Sequence, residues 1–79
     1  MQDVLPKVQG AFHDAFAIDP RSVTLETRPD DVPAWDSVGH LTLVSNLEQA
    51  FGISLDVDDI MEMENVRDIV RVVQSKLPA

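Results

Sequence analysis

Ser37 occupies the position in this sequence that best suits chemistry. It follows Asp36, a residue type favoured at helix N-caps, and opens a stretch with helical periodicity. Its hydroxyl is therefore expected at the positive end of a helix dipole, where the dipole and unpaired N–H groups would stabilise a phosphate ester. The other four serines have no comparable setting. The spacing alone also fits a plain capping pair, so other residues must decide between the two interpretations.

An enzyme is the first alternative, because His40 lies about one helical turn after Ser37. Residues three apart are neighbours on a helix, so the two side chains would suit a nucleophile and its base. The sequence lacks the Gly-x-Ser-x-Gly elbow and shows no glycine-rich oxyanion loop. We therefore expect His40 to be a boundary residue with a local hydrogen bond.

Calcium binding is a second alternative, suggested by the acidic stretch that begins at Asp56. An EF-hand loop needs glycine at its sixth position and glutamate at its twelfth. Counted from Asp56, these positions hold Met61 and Arg67. The EF-hand motif therefore fails, and we expect no dedicated metal site, only weak binding of divalent cations to the acidic cluster by charge relief.

Composition narrows the remaining classes of function. The 79 residues carry 14 Asp and Glu against 6 Lys and Arg, a formal net charge of −8. This charge disfavours nucleic acid and anionic membranes, which attract basic proteins. The chain has no Cys, and no apolar run is long enough to span a bilayer. We expect one cytoplasmic, monomeric domain over 1–79, and the initiating Met and full helix set favour a chain that acts by itself.

The apolar periodicity predicts an all-α fold, a small four-helix bundle of three longer helices and one short helix. Helix I is predicted at about 3–17 with Asp3 as its N-cap. A long loop over 18–36 separates it from helix II, and we expect this loop to be an ordered crossover rather than a flexible linker. Three apolar side chains would attach it to the core: Ile18, Val23 and Leu25. Trp35 would pack it onto helix II.

Helix II is predicted at 37–51, between an Asp36 N-cap and Gly52 at the C′ position. Its core arc comprises Leu43, Val44, Leu47, Ala50 and Phe51. Its outward positions are Gly39, Thr42, Ser45, Asn46 and Gln49, with Glu48 as the only acid. Val38 and Leu41 project away from the core as an exposed apolar pair.

Two further helices are predicted after Gly52. Asp56 would cap the short one, and Asn65 would cap a last helix that Pro78 ends. The core face of the last helix comprises Val66, Ile69, Val70, Val73 and Leu77.

Acidic residues are concentrated in the middle of the chain. Nine carboxylates and no Lys or Arg lie between Pro29 and Val66. The nine are Asp30, Asp31, Asp36, Glu48, Asp56, Asp58, Asp59, Glu62 and Glu64. This segregation predicts an acidic face for a basic partner.

Taken together, these residues resemble the acyl carrier protein family. The resemblance rests on Trp35-Asp36-Ser37-Val38, the Leu43/Leu47/Phe51 ladder, Gly52-Ile53 and the helix order, and it spans about 3–77. It implies that Ser37, flanked by Asp36 and Val38, carries a 4′-phosphopantetheine arm that a phosphopantetheinyl transferase adds from coenzyme A. The protein would then be a non-catalytic carrier of acyl, polyketide or aminoacyl thioesters.

Two departures from the family pattern bear on the pathway and partners. Val38 stands where the family usually has leucine. The acidic residues are concentrated at 56–64 instead of along helix II. This favours a dedicated pathway at least as strongly as housekeeping fatty acid synthesis. The residues expected to contact basic partner enzymes are Leu41, Glu48, Asp56, Asp58, Asp59 and Glu62. An acidic interaction module without a covalent cofactor is the competing interpretation.

Overall fold

The computed structural model describes residues 4–77, which form four α-helices joined by loops and short 3₁₀ turns. The helices are α1 (Leu5–Phe16), α2 (Ser37–Phe51), α3 (Val57–Glu62) and α4 (Val66–Lys76). The predicted bundle of three longer helices and one short helix is thus confirmed, and the predicted bounds of helix II match α2. No helix in the described part of the chain has the length and apolarity needed to cross a bilayer.

Helix α1 is shorter than the predicted helix I. Its N-cap position is held by Val4, whose side chain makes no capping hydrogen bond, and the predicted cap Asp3 lies outside the described residues. At the other end Ala17 is left-handed, with φ 56°, and its N–H donates to the His13 carbonyl. This conformation ends the helix at Phe16 and turns the chain into the crossover.

One core joins α1, α2, α4 and the crossover. Its fully buried large side chains are Val8, Phe12, Val23, Leu43, Leu47, Val66, Ile69 and Val73. The Phe12 ring meets Phe16 and Trp35 edge-on, with ring centroids 5.6 and 5.0 Å apart. Such edge-to-face contacts add to the stabilisation from area burial alone.

The helical periodicity misplaces two side chains at the margins of this core. Ala50 is exposed, because it lies at the edge of the α2 arc and its methyl group is too short to reach the packing that half-buries Phe51. Val72 is buried although it was not predicted in the core, because the buried face of α4 is rotated toward it. Val70 is consequently only half-buried.

The crossover is ordered, as predicted. Val23 is fully buried, and Ile18 and Leu25 pack against the core. Its backbone is also tied to the helices: the Val66 N–H donates to the Thr27 carbonyl at 2.9 Å, and the Gln9 side chain donates to the Val23 carbonyl at 2.8 Å. These bonds hold the crossover against the start of α4 and the flank of α1.

Gly39 is half-buried, so its predicted outward position is wrong. A Cβ at this residue would collide with the Ala34 carbonyl oxygen and lie 2.9 Å from Cε1 of Phe16. The end of the crossover and α1 therefore approach α2 closely at this point. A side chain of any size would push them apart.

The two helical glycines should respond oppositely to alanine. In α1, Gly10 has open space around its Cβ position, so Gly10→Ala should stabilise the protein by about 0.5–1 kcal/mol through reduced backbone entropy in the unfolded chain. Gly39→Ala should instead destabilise it by about 1–3 kcal/mol through overpacking. Urea unfolding of both variants measures the difference. Equal stabilisation by both would contradict the close approach at Gly39.

Candidate functional site

Ser37 is the first residue of α2, and the preceding Asp36 fixes it there. Asp36 is extended, and its Oδ1 accepts a 2.8 Å hydrogen bond from the Gly39 N–H. Its carbonyl accepts the His40 N–H at 2.7 Å. Loss of such a cap costs about 1 kcal/mol. The predicted cap is confirmed, and it leaves the Ser37 side chain exposed at the helix entrance.

A hydrogen-bond chain runs behind Ser37 from the crossover to α3. The buried Trp35 indole donates its Nε1–H to His40 Nδ1 at 2.8 Å. Because Nδ1 accepts, His40 is the neutral tautomer that carries its proton on Nε2. That Nε2–H donates to the Ile60 carbonyl at 3.1 Å. Trp35 thus packs the crossover onto α2 as predicted.

The same chain argues against the enzyme alternative. Both ring nitrogens of His40 are engaged, one by Trp35 and one by Ile60. In this arrangement the imidazole has no free nitrogen to take a proton from the Ser37 hydroxyl. The pairing of nucleophile and base that the spacing suggests is absent from the residues that the structure describes.

An open groove of about 500 Å³ lies beside Ser37. Its size falls within the usual range of ligand pockets. Asp36 and Ser37 form its rim, together with Pro29, Trp35, His40, Ile60, Met61 and Met63. The methionines are flexible and polarisable, so the apolar wall can adapt to different groups.

The helices around Ser37 expose four large apolar side chains. Val38 and Leu41 on α2 are 74% and 60% exposed, and Val57 and Met61 on α3 are 69% and 72% exposed. The sequence indicated the α2 pair but missed the α3 pair. The signal for it was the i,i+4 spacing of Val57 and Met61 in a helix capped by Asp56. We call these four residues the apolar patch.

The predicted acidic contacts fall into two groups. Glu48 and Asp59 make internal contacts: Glu48 Oε2 accepts the Leu55 N–H at 2.8 Å, and Asp59 pairs with Lys76 Nζ at 2.8 Å. Asp56 caps α3 by accepting the Asp59 N–H at 2.9 Å. The carboxylates of Asp58 and Glu62 belong to exposed residues of α3. Of the five predicted acidic residues, only Asp58 and Glu62 are therefore directed mainly at solvent.

The Asp59–Lys76 pair joins α3 to α4 electrostatically. The Lys76 ammonium holds the pKa of Asp59 below its usual range, with help from the Asp56 N–H. Asp59 in turn raises the pKa of Lys76. The pair is therefore ionised on both sides at neutral pH.

Similarity to known proteins agrees with this geometry. A family model described as the phosphopantetheine attachment site matches residues 6–73, most of the chain. The chain belongs to this family. It is 29% identical over 76 residues to an acyl carrier protein of Thermotoga maritima, covering 96% of this chain and 94% of that protein. An acyl carrier protein of Tropheryma whipplei is 33% identical over 69 residues, covering 87% and 84%.

The fold is also that of a solved relative in this family. The solution structure of a holo acyl carrier protein from Geobacter metallireducens matches with a TM-score of 0.84 at 29% identity. The match covers 95% of this chain and 86% of that one. This phosphopantetheine-binding protein is thus an acyl carrier rather than a catalyst, and its prosthetic group is a covalently bound 4′-phosphopantetheine. The resemblance read from the sequence is confirmed.

The residues at the entrance of α2 fit that group. An exposed hydroxyl is available on Ser37, and the first N–H groups of the helix have no intrahelical carbonyl partner. A phosphodiester placed there meets the positive end of the dipole. The adjacent groove offers an apolar wall to the rest of the group. When bound, the group supplies a terminal thiol that carries acyl cargo as a thioester.

Removal of the α3–α4 ion pair should give a pH-dependent loss of stability. Lys76→Gln should lower the melting temperature at neutral pH. Because the pKa of folded Asp59 is lowered, the pair stabilises above the ordinary pKa of aspartate, and this stabilisation disappears as the pH falls through the lowered pKa. The difference from the wild type should therefore shrink in acid.

Melting curves of both proteins across that pH range measure the effect. Arg71→Gln is the matched control, since its contact with Asp68 is longer, at 3.7 Å, and lies within α4. A difference that grows toward low pH would contradict this role of Lys76.

Proposed function

We propose that Ser37 is the attachment residue of the 4′-phosphopantetheine arm in a single carrier domain spanning 1–79. The observation that carries this proposal is its exposed position at the capped N-terminus of α2, beside the apolar groove. The other serines lack this setting. Ser22 and Ser75 donate to nearby carbonyls, Ser45 lies within α2, and Ser54 lies in the loop that follows it.

The chain's own residues position the hydroxyl and leave its activation to a partner. Asp36 holds the first turn through the Gly39 N–H, and His40 is engaged elsewhere. A phosphopantetheinyl transferase would supply the base that takes the Ser37 proton. The Ser37 oxygen then bonds to the pantetheine-linked phosphorus of coenzyme A, and the bond to the adenosine bisphosphate leaving group breaks. The cytoplasm, where coenzyme A is available, is the compartment that we propose.

We propose further that partner enzymes dock on the apolar patch, with Asp58 and Glu62 at its edge. Exposed apolar side chains bordered by polar residues mark binding surfaces, and the negative charges of Asp58 and Glu62 suit Lys and Arg on the partner. On α2, Leu41 is the residue that contacts the partner, because the Glu48 carboxylate already accepts a hydrogen bond from the Leu55 N–H. The acidic part of the proposed surface therefore lies on α3 rather than on α2. This distribution favours partner enzymes of a dedicated pathway.

Intact mass spectrometry tests the attachment. After incubation with coenzyme A and a broad-specificity transferase, the wild type should gain one phosphopantetheinyl group, and Ser37→Ala should gain none. Ser45→Ala is the matched control, because it removes another exposed serine of α2 and should still be loaded. Asp36→Asn keeps a capping side chain and should also be loaded. Full loading of Ser37→Ala would overturn the proposal.

Steady-state kinetics of the same transferase test the docking surface. Asp58→Asn combined with Glu62→Gln should lower kcat/KM several-fold at low salt and flatten its salt dependence, because exposed charges act over about 8–10 Å at ordinary ionic strength. Asp14→Asn combined with Glu26→Gln removes the same charge from other faces and should change little. Equal effects of the two pairs would show that only net charge matters.

A separate substitution, Leu41→Ser, tests the apolar part of the proposed docking surface. Leu41→Ser should raise KM without abolishing the salt dependence, because it removes apolar contact and leaves the charges in place. An unchanged KM would exclude Leu41 from this interface.

A further inference from the structure

The wall of the groove beside Ser37 contains an imidazole, that of His40. Of the residues that border this groove in the described part of the chain, no other side chain carries an amine or an imidazole. The His40 ring is half-buried, and it lies about one turn of α2 after Ser37. An arm attached at Ser37 would therefore be tethered next to a group that can react with acyl compounds.

A free imidazole in this place would endanger a thioester. Imidazole is a nucleophile when one of its nitrogens has a free lone pair. That nitrogen attacks the carbonyl carbon, the C–S bond breaks, and the sulfur leaves and takes up a proton as the thiol. Water then cleaves the acyl–nitrogen bond, so that thioester and water give thiol and carboxylic acid. A short flexible tether holds two groups at about millimolar effective concentration, which favours this loss of cargo.

Trp35 occupies the one nitrogen of His40 that could attack. Its indole Nε1–H donates to Nδ1 at 2.8 Å, and the two ring planes are 17° apart, which suits a bond to a lone pair in the imidazole plane. Nε2 carries the proton that is donated to the Ile60 carbonyl at 3.1 Å, so it has no lone pair to offer. The Trp35 side chain is only 4% exposed and rests edge-on against Phe12, so the core holds the donor in place.

We propose that the buried Trp35 indole protects thioester cargo from His40, because it keeps the lone pair of Nδ1 in a hydrogen bond. This inference rests on the proposed attachment at Ser37. His40 joins the crossover, α2 and α3 through its two hydrogen bonds, and the donor that completes this joint also makes the ring inert. Trp35 is thus a positioning residue that acts on the cargo only through His40.

His13 provides a comparison within the same chain. Its Nδ1 donates to the Ile18 carbonyl at 3.0 Å, which leaves Nε2 as the nitrogen with the lone pair. Among the described residues no side chain or backbone group donates to this Nε2, and His13 is exposed. The two histidines of the chain therefore differ in whether their nucleophilic nitrogen is engaged.

Carbethoxylation of the unloaded protein tests the reactivity of the rings without the arm. Diethyl pyrocarbonate acylates the unprotonated nitrogen of histidine, and His13 and His40 fall in different tryptic peptides, 8–21 and 22–67. In the wild type His13 should react much faster than His40. In Trp35→Phe, which keeps a ring in the core but lacks the N–H, the two rates should become similar. A His40 that reacts as fast as His13 in the wild type, or stays unreactive in Trp35→Phe, would overturn the proposal.

Hydrolysis of a loaded thioester tests the consequence for the cargo. Each protein is loaded from acetyl-coenzyme A by a broad-specificity transferase, and loss of the acetyl group is followed by intact mass. Trp35→Phe should lose it about tenfold faster than the wild type, less than the roughly 10²–10⁴-fold that an evolved acid–base group contributes. Trp35→Phe combined with His40→Gln is the matched control, because it lacks the same indole but has no imidazole, and it should return to the wild-type rate. Equal rates in the wild type and Trp35→Phe would contradict the protective role.

The pH dependence separates this chemistry from a general loosening of the fold. Only unprotonated imidazole attacks, so the excess hydrolysis in Trp35→Phe should appear as the pH rises through about 5–8, where histidine ordinarily loses its proton. The double variant should show no such step. An excess that is independent of pH, or that persists in the double variant, would show that the substitution acts through structure alone and would overturn the proposal.

A second replacement covers the case in which Trp35→Phe does not fold. Biosynthetic replacement of the single tryptophan by benzothienylalanine keeps the bicyclic ring and exchanges the N–H for sulfur, and it should give the same gains in carbethoxylation and hydrolysis. Unchanged rates there would also overturn the proposal. The two levels of the account fail separately: a wild type that gains no arm overturns the attachment at Ser37, whereas a loaded wild type with a reactive His40 overturns only the inference about Trp35.

Discussion

The hydrogen bond from the Gly39 N–H to Asp36 Oδ1 determines where α2 begins, and the site is organised around that point. It places Ser37 at the first helical position, exposed and at the positive end of the dipole. The same glycine lets the Ala34 carbonyl and the Phe16 ring come close to the helix. At the next residue, Nδ1 of His40 accepts from the Trp35 indole and so fixes the crossover against α2. A capped helix start, a close approach and a buried indole therefore act together within residues 34–40.

The second organising feature is that some carboxylates make contacts within the fold whereas others face solvent. A formal charge of −8 suggests a uniformly acidic surface, but several of these groups serve the fold. Asp36 and Asp56 cap helices, Glu48 holds the loop at Leu55, and Asp59 holds Lys76. A carboxylate that is already satisfied has less to offer a partner than one directed at solvent. In the docking surface that we propose, the charge therefore lies on Asp58 and Glu62 of α3 rather than on α2.

Much of this structure could be predicted from the sequence because local signals agree with one another. The apolar ladder of α2, its Asp36 cap and Gly52 at its end fixed both bounds of that helix. The Asn65 cap and Val66 likewise placed α4. What could not be predicted depends on contacts between distant segments. The burial of Gly39 depends on the paths of Ala34 and Phe16, and the engagement of Glu48 and Asp59 depends on where Leu55 and Lys76 lie in space. The bridge from His40 to Ile60 spans twenty residues and leaves no periodic signal.

We propose that the hydroxyl at the entrance of α2 carries the prosthetic group. Localisation of the group by tandem mass spectrometry tests this most directly. Trypsin releases a peptide spanning 22–67 that contains Ser22, Ser37, Ser45 and Ser54, since Pro29 protects the bond after Arg28. Fragment ions should place the phosphopantetheinyl mass on Ser37. Fragment ions that place it on Ser22, Ser45 or Ser54 would contradict the account.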